Sequence, residues 1–201
     1  MATLNNPKLT EYRAKRSRDT TPEPFDRIHI PVTGRLFVIQ QHAARHLHFD
    51  LRLEVDGVLK SWAVPKGPSD DPTDKRFAVE TEDHPLDYAD FEGEIPAGNY
   101  GAGHVIVWDR GTFKLRGKFS DGYAKGKLLF ELEGYKVNGL WTLVRLKTRD
   151  STGKEWLLIK ETDQYVSDEG ATFPHTSVLS GCTVQQLADN TPHNNTGRIG
   201  T

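Results

Sequence analysis

A single cysteine, Cys182, stands among 201 residues. No internal disulfide can form, and a reducing, cytoplasmic home is the natural expectation. No stretch approaches the roughly 20 apolar residues of a membrane span. The opening MATLNNPKLT lacks the apolar core of a secretory signal, so nothing points to a membrane partner. An excess of one charge is missing too: 26 Lys and Arg face 28 Asp and Glu, a formal net charge of −2. Bulk charge therefore does not announce a polyanion binder. Apolar residues reach only 36%, low for a globular chain. Four Trp, nine Phe and six Tyr still supply bulk for one core. Also absent are a long 3.6-residue period between Leu36 and Lys160 and any fixed-period repeat.

What is present is a series of short apolar or alternating runs between Leu36 and Lys160: LFVIQ (36–40), His46–Val55, Val58–Val64, FAVE (77–80), VIVWD (105–109), FKLR (113–116), LLFELE (128–133), LWTLVRL (140–146) and WLLIK (156–160). Turn signals separate them, among them Asp56-Gly57, Gly101-Ala102-Gly103, Arg110-Gly111, Asp121-Gly122 and Asn138-Gly139. Many short strands with regular turns predict an all-β barrel or sandwich. The expected organisation is an N-terminal arm over 1–33, a β domain over 34–162 and a polar tail or linker over 163–201. Within that tail TVQQLAD (183–189) is the one candidate helix, and the rest is expected to have little fixed structure. Arg13, Lys15, Arg16 and Arg18 crowd one part of the arm. They read either as a phosphate-binding arm or as a solvated polar lead-in.

One run carries chemistry. In HLHFDLRLEV (46–55) the odd positions Leu47, Phe49, Leu51, Leu53 and Val55 are apolar, and the even positions are His46, His48, Asp50, Arg52 and Glu54. A strand sends alternate side chains to opposite faces, so the apolar set faces a core and the polar set gathers on the other side. Solvated faces favour Thr, Lys, Glu and Ser, which makes His-x-Asp-x-Arg an unusual choice for solubility. Asp56-Gly57 offers a two-residue hairpin turn. That register sets Val55 opposite Val58, Leu51 opposite Trp62 and Arg52 opposite Ser61. It also leaves Lys60 on the apolar side, opposite Leu53.

His48 and Asp50 project the same way, roughly 7 Å apart along the strand. His42 is the nearest third ligand. In a continuous strand it would lie about 20 Å from His48, so residues 43–45 must bend if one ion is shared. Two His and one carboxylate leave coordination positions open and suit Mn, Fe or Zn. Arg52 has the planar fork that grips phosphate. His84 sits in EDHPLDY, where Pro85 favours an extended His84 and Tyr88 follows four residues on.

At these residues the chain resembles a known family. QQHAARHLHFDLRLEVDGVLKSWAVPKGPS (40–69), FAVETEDHPLDYADFEGEIPAGNYGAGHVIVWDRGTF (77–113) and TPEP (21–24) are similar to the 3′-phosphoesterase domain of bacterial DNA ligase D and its stand-alone bacterial and archaeal relatives. The likeness runs over about 12–160. It implies a compact single-domain β-barrel with a polar active-site groove. It also implies a Mn²⁺-dependent hydrolase that processes the 3′ ends of primer DNA in non-homologous end joining. A phosphodiesterase step removes a terminal ribonucleoside and leaves a 3′-phosphate, and a phosphomonoesterase step then leaves a 3′-OH. Nucleic acid is the implied partner, with ligase and polymerase components of end joining beside it.

Transferred position by position, the resemblance implies metal ligands at His42, His48 and Asp50, and a phosphate-binding and catalytic group at Arg52, His84, Tyr88 and Lys66. It implies substrate-binding positions at Gln40, Ser61, Arg76 and Glu82, with Arg16 and Glu23 contributed by the arm. The family places Asp after the arm's Arg, where this chain has Ser17; Asp19 is the nearest substitute. His46 reads as a neighbour of the site and His104 as structural. The segment TSVLSGCTVQQLAD (176–189) is similar to the linker that follows this domain in ligase D, with Cys182 in place of an Arg.

Two other classes compete. An Fe(II)/2-oxoglutarate oxygenase is also a β-barrel with His-x-Asp, a distant His and an Arg, which His48, Asp50, His104 and Arg116 mimic. That layout leaves His42, Lys66 and EDHPLDY unexplained. A catalytically silent nucleic-acid-binding module is the second, and the intact His, Asp and Arg set speaks against silence.

Overall fold

The computed structural model describes residues 6–25, 35–147, 151–167 and 173–189. The expected arm boundary at 33–34 and the tail beyond 189 lie outside them. Nine strands run in chain order: β1 (Arg35–Ala43), β2 (Leu47–Val55), β3 (Val58–Val64), β4 (Arg76–Glu80), β5 (Gly93–Ile95), β6 (Gly103–Leu115), β7 (Lys127–Gly134), β8 (Asn138–Arg145) and β9 (Glu155–Lys160). Their order is β1-β2-β3-β4-β9-β8-β7-β6, and β1 pairs with β6, so eight antiparallel strands close into a barrel. The short β5 adds to β6 outside the closure. Closure leaves the barrel strands no free edge. Among the described residues no helix is long and apolar enough to cross a membrane.

The hairpin of β2 and β3 has the register expected from its sequence. Val55 pairs with Val58, Leu51 with Trp62, and Arg52 with Ser61. Asp56 (φ 49°) and Gly57 (φ 80°) both adopt positive φ, as a type I′ turn requires and as Asp-Gly tolerates. Lys60 does sit opposite Leu53. Its ammonium is partnered by Asp83 (2.7 Å) and Glu80 (3.4 Å), so the amine has acceptors where the sequence pattern offered none.

The lumen holds the main core: Phe37, Leu51, Leu53, Trp62, Phe113, Phe130, Trp141 and Trp156 are among its buried members. A second apolar cluster lies on the outer face of β1, β3 and β6. There Val38, Leu59 and Val107 pack with Tyr12 of the arm and with Tyr88 and Ala89. These two come from a 3₁₀ turn, Leu86–Asp90. The arm itself forms a 3₁₀ turn (Pro7–Leu9) and helix α1 (Thr10–Ala14), burying Leu9 and Tyr12.

Several local readings are corrected. Arg110-Gly111 is not a turn but the middle of β6. Gly111 is required there because a Cβ would lie 1.9 Å from the Glu133 carbonyl oxygen across the β6–β7 pair, a close backbone approach rather than a reversal. Asp121-Gly122 lies inside a short helix, α2 (Phe119–Lys125), which ends at Gly126 in the left-handed conformation. The pattern hid this helix because none of its residues is fully buried. Asn138-Gly139 begins β8, so the β7–β8 loop precedes it.

Residues 173–182 also depart from the expectation of little fixed structure. Val178 N donates to Val107 O (2.9 Å), Ser177 Oγ donates to Glu92, and Lys136 Nζ donates to Pro174 O (2.8 Å) and Thr176 O (2.6 Å). Helix α3 (Val184–Ala188) forms where TVQQLAD suggested, with Thr183 and Gln186 making a reciprocal capping box.

Candidate active site

The polar face of β2 turns outward, so the chemistry lies on the barrel's outer wall and not in its lumen. The chain reverses after Ala43, and the β1–β2 pairing sets His42 opposite His48 and Gln40 opposite Asp50. The bend needed at 43–45 is therefore a hairpin. A shift in the β1–β6 register between Ile39 and Gln40 kinks the sheet beside this point, as bulges near functional sites do.

His42, His48 and Asp50 form the one group of potential metal ligands among the described residues, with donor atoms all within 4.8 Å of one another. The hydrogen bonds of the two imidazoles fix their tautomers. His42 Nε2 lies 2.8 Å from Gly101 O and His48 Nδ1 lies 2.9 Å from His46 O. A carbonyl oxygen only accepts, so both nitrogens carry the proton. The lone pairs of His42 Nδ1 and His48 Nε2 are left facing Asp50, at 3.9 Å from Oδ2 and 3.6 Å from Oδ1. Anchoring of the far ring nitrogen is the usual support of a histidine ligand. Burial also holds the His42 pKa below its ordinary value, which keeps the ring neutral and able to ligate. The residues fit a divalent cation.

Arg52 stands behind this triad. Its Nη2 donates to Asp50 Oδ2 (2.9 Å), Nε to Gln40 Oε1 (2.7 Å) and Nη1 to Ser61 Oγ (2.9 Å). Nη1 also lies 3.0 Å from His84 Nδ1, so of the five N–H groups one, on Nη2, is left for a phosphate. Gln40 and Ser61 are fully buried and lie outside the lining of the cleft. Gln40 Nε2 donates to the carbonyls of Tyr88 and Phe91, and the Ser61 hydroxyl to Leu59 O. Both hold Arg52 in place rather than line the cleft.

His84 is clipped to β3 by a reciprocal backbone pair, Leu59 N to His84 O (2.8 Å) and His84 N to Leu59 O (3.0 Å). Its Nδ1 lies 2.9 Å from Glu82 O, 3.0 Å from Arg52 Nη1 and 3.3 Å from Ser61 Oγ, and its Nε2 lies 3.4 Å from Arg16 Nη2. Nδ1 thus faces a carbonyl that only accepts and a guanidinium that only donates, and Nε2 faces a second guanidinium, so the neutral ring has one lone pair for two arginine donors. Burial, reinforced by the charges of Arg52 and Arg16, pushes the His84 pKa well below the ordinary imidazole value.

The arm enters through Arg16. Its Nε donates to Glu23 Oε1 (2.8 Å) and its Nη1 to Glu82 Oε1 (2.9 Å), while Lys15 Nζ donates to Glu82 Oε2 (2.9 Å). Burial works against the charge on Glu82, but the bonds from Lys15 and Arg16 outweigh it and hold its pKa below the usual carboxyl value. Ser17 makes only a local contact, its Oγ accepting from Asp19 N (3.4 Å), and Asp19 is exposed. Glu23 and Glu82 already supply Arg16 with carboxylates. The Tyr88 hydroxyl donates to Glu23 Oε1 (3.0 Å), so it points to the arm, while its ring lies under the Arg52 guanidinium (4.9 Å).

These groups share a cleft of about 310 Å³, whose wall includes Arg16, His42, His48, Asp50, Arg52, Glu82, His84 and Tyr88. A larger cavity, about 500 Å³, lies between the arm and the segment 87–92, away from the triad. Two more expected residues stand apart from the cleft. Lys66 is exposed in the turn after β3, and Arg76 begins β4 with its guanidinium on Asp74 (2.6 Å). The oxygenase layout does not assemble, because His104 is outside the ligand group and Arg116 pairs with Glu131. The sequence reading did not single out Tyr100 and Gly101, which line the cleft, and it left Lys15 as one charge in a basic run. Gly101 carried a turn signal only, and nothing local marked it as the acceptor for His42.

Comparison with known proteins bears on this cleft. Residues 40–145 match the DNA ligase D 3′-phosphoesterase domain family. The chain is 53% identical over 157 residues to the multifunctional non-homologous end joining protein LigD of Pseudomonas aeruginosa, covering 77% of this chain and 19% of that protein. It is 47% identical over 164 residues to the LigD repair protein of Mycobacterium tuberculosis, covering 79% of this chain and 21% of the relative. It therefore spans about a fifth of the length of the curated relatives it matches.

Proposed function

Because the chain belongs to the DNA ligase D 3′-phosphoesterase domain family, we propose that it is a Mn²⁺-dependent hydrolase that trims 3′ ends of nucleic acid during end joining. Its substrates are primer ends carrying a 3′ ribonucleotide or a 3′-phosphate, and its partners are the ligase and polymerase components of that process. The observation that carries this reading is the convergence of His42, His48 and Asp50 within 4.8 Å, in one cleft with Arg52, His84 and Arg16.

His42, His48 and Asp50 would hold the metal, which supplies Lewis-acid polarisation of a phosphate oxygen and acidifies bound water. Arg52, immobilised by Gln40, Ser61, Asp50 and His84, presents its remaining N–H to the phosphate. A donor held rigidly in a buried site needs no reorganisation as charge develops. Arg16 meets the same charge from the arm. His84 is neutral between two arginines in the free protein. A phosphate anion arriving beside it offsets their charge and favours protonation of the ring, which then donates a proton to the leaving oxygen. Glu23 and Glu82 orient Arg16, and Tyr88 supports Glu23 and the Arg52 plane. Lys66, exposed in the turn after β3, contacts the nucleic-acid backbone further from the metal.

The test is a labelled primer–template ending in one 3′ ribonucleotide, incubated with Mn²⁺ or with EDTA. Conversion to a 3′-phosphate and then a 3′-OH only with Mn²⁺ is the expected result. End binding without processing in either condition would replace this reading with the silent binding module.

A further inference from the structure

The cleft has a metal triad and cations for a phosphate, and one half-exposed aromatic ring at its mouth that meets those cations. Tyr100 lines the cleft, yet half its surface is exposed. It lies between Gly98 (φ 88°) and Gly101 (φ 76°), conformations that hold the loop in an irregular path. Gly101, its neighbour in the chain, accepts the hydrogen bond that orients His42. The ring is therefore tied by one residue to the support of a metal-ligand candidate. On the arm side, Lys15 Nζ (4.6 Å) and Arg16 Cζ (5.5 Å) lie over the ring as cation–π partners, so a base would stack on the part of the ring that faces solvent.

We infer that Tyr100 is the stacking platform for the base of the 3′-terminal nucleotide, placed where phosphate-binding cations and the metal triad meet. The inference rests on the proposed 3′-end processing and names how that cleft takes hold of the nucleoside. A nucleotide presents a phosphate and a flat aromatic base joined through one sugar. This cleft presents cations and a half-exposed ring side by side. An exposed aromatic side chain at the rim of a polar cleft leaves apolar surface in water, and a base laid on it removes that surface. Stacking of this kind tolerates any base, because every base has a π-face. It suits an enzyme that meets ends of unspecified sequence.

The experiment uses a primer–template with 2-aminopurine as its 3′-terminal base, held in EDTA so that no turnover occurs. Binding is followed by anisotropy of a label on the 5′ end, and stacking by quenching of the 2-aminopurine emission. The native protein quenches on binding. Tyr100→Leu, which keeps bulk but has no π-face, loses the quench and weakens binding of the base-bearing end about tenfold relative to the same end with an abasic terminal sugar. Tyr100→Trp restores both. Equal quenching in the native protein and Tyr100→Leu, with the base-dependence of affinity unchanged, would overturn the platform while leaving 3′-end processing intact. No anisotropy change with any end would remove the nucleic-acid reading itself, and the platform with it.

Discussion

The two faces of β2 present opposite solutions to the same strand geometry. Leu51 and Leu53 point into a lumen filled with Trp62, Trp141 and Trp156. Asp50 and Arg52, one residue away, point outward under the arm and the 3₁₀ turn over 86–90, hydrogen-bonded at each charged end. The inner face is held by area removed from water, which is non-directional. The outer face is held by directional bonds whose partners come from distant parts of the chain. Damage to the first should cost stability, and damage to the second should cost chemistry.

The comparison breaks most sharply at the candidate metal ligands. His48→Ala is expected to lower 3′-end processing by about 10²–10³-fold or more, the scale of losing transition-state charge stabilisation. Metal binding by titration calorimetry should be lost with it. His48 is half-buried at the rim, so its urea midpoint in chelator should stay close to the native value. Full activity in this variant would remove the metal assignment. Trp62→Ala tests the other face. The ring is fully buried in the lumen, and the loss should be about 3–5 kcal/mol by urea denaturation. A loss under about 1 kcal/mol would mean that the lumen is not the principal source of stability.

The arm lies between these extremes. Glu82→Ala removes the acceptor shared by Arg16 and Lys15. A trapped charge would cost about 3–5 kcal/mol. Here the arm can undock and rehydrate Arg16, so global stability should fall by less than that. Protease cleavage within residues 10–20 should accelerate, and processing should drop about tenfold. Unchanged cleavage would show that the arm is held by its apolar contacts alone.

His84 provides a pH test. It stays neutral in the fold because burial and two arginines depress its pKa below 6.5. The unfolded chain takes up that proton below pH 6.5 and the folded chain does not. Stability from this group is thus complete above about 6.5 and falls as pH drops below it. In chelator, the urea midpoint should decline from pH 7.5 to 5.5, and more gently in His84→Asn. Parallel declines in the two proteins would show that His84 is not the group responsible. His46→Ala should have the smallest effect of all. Its side chain is exposed beside the triad, and processing should stay within about twofold of native. A large loss would make His46 a member of the site.

The β2–β3 hairpin was legible residue by residue. Strict alternation assigns the faces, and Asp56-Gly57 sets the register, so the sequence alone places Arg52 opposite Ser61, where the fold has it. The metal-ligand candidates were legible for the same reason once His42 was allowed to fold back. Other signals misled. Arg110-Gly111 carries turn chemistry but answers to a backbone contact with β7. Helix α2 is half-exposed and only seven residues long, too short for a periodic signal. The segment 173–182 is polar in sequence and owes its place to acceptors and donors on β6, Glu92 and Lys136.

By itself, then, the sequence determined an all-β chain, the faces and register of its central hairpin, and the donor types gathered on one of those faces. Side-chain alternation and two-residue turns are short-range constraints that need no knowledge of the rest of the molecule. Only the tertiary structure decided that the site sits outside the barrel and that Arg16 is clamped between Glu23 and Glu82. It also decided that the Tyr88 hydroxyl turns to Glu23 and that Tyr100 stands at the mouth of the cleft. Each of these depends on contacts between residues far apart in the chain, brought together by closure of the barrel and docking of the arm.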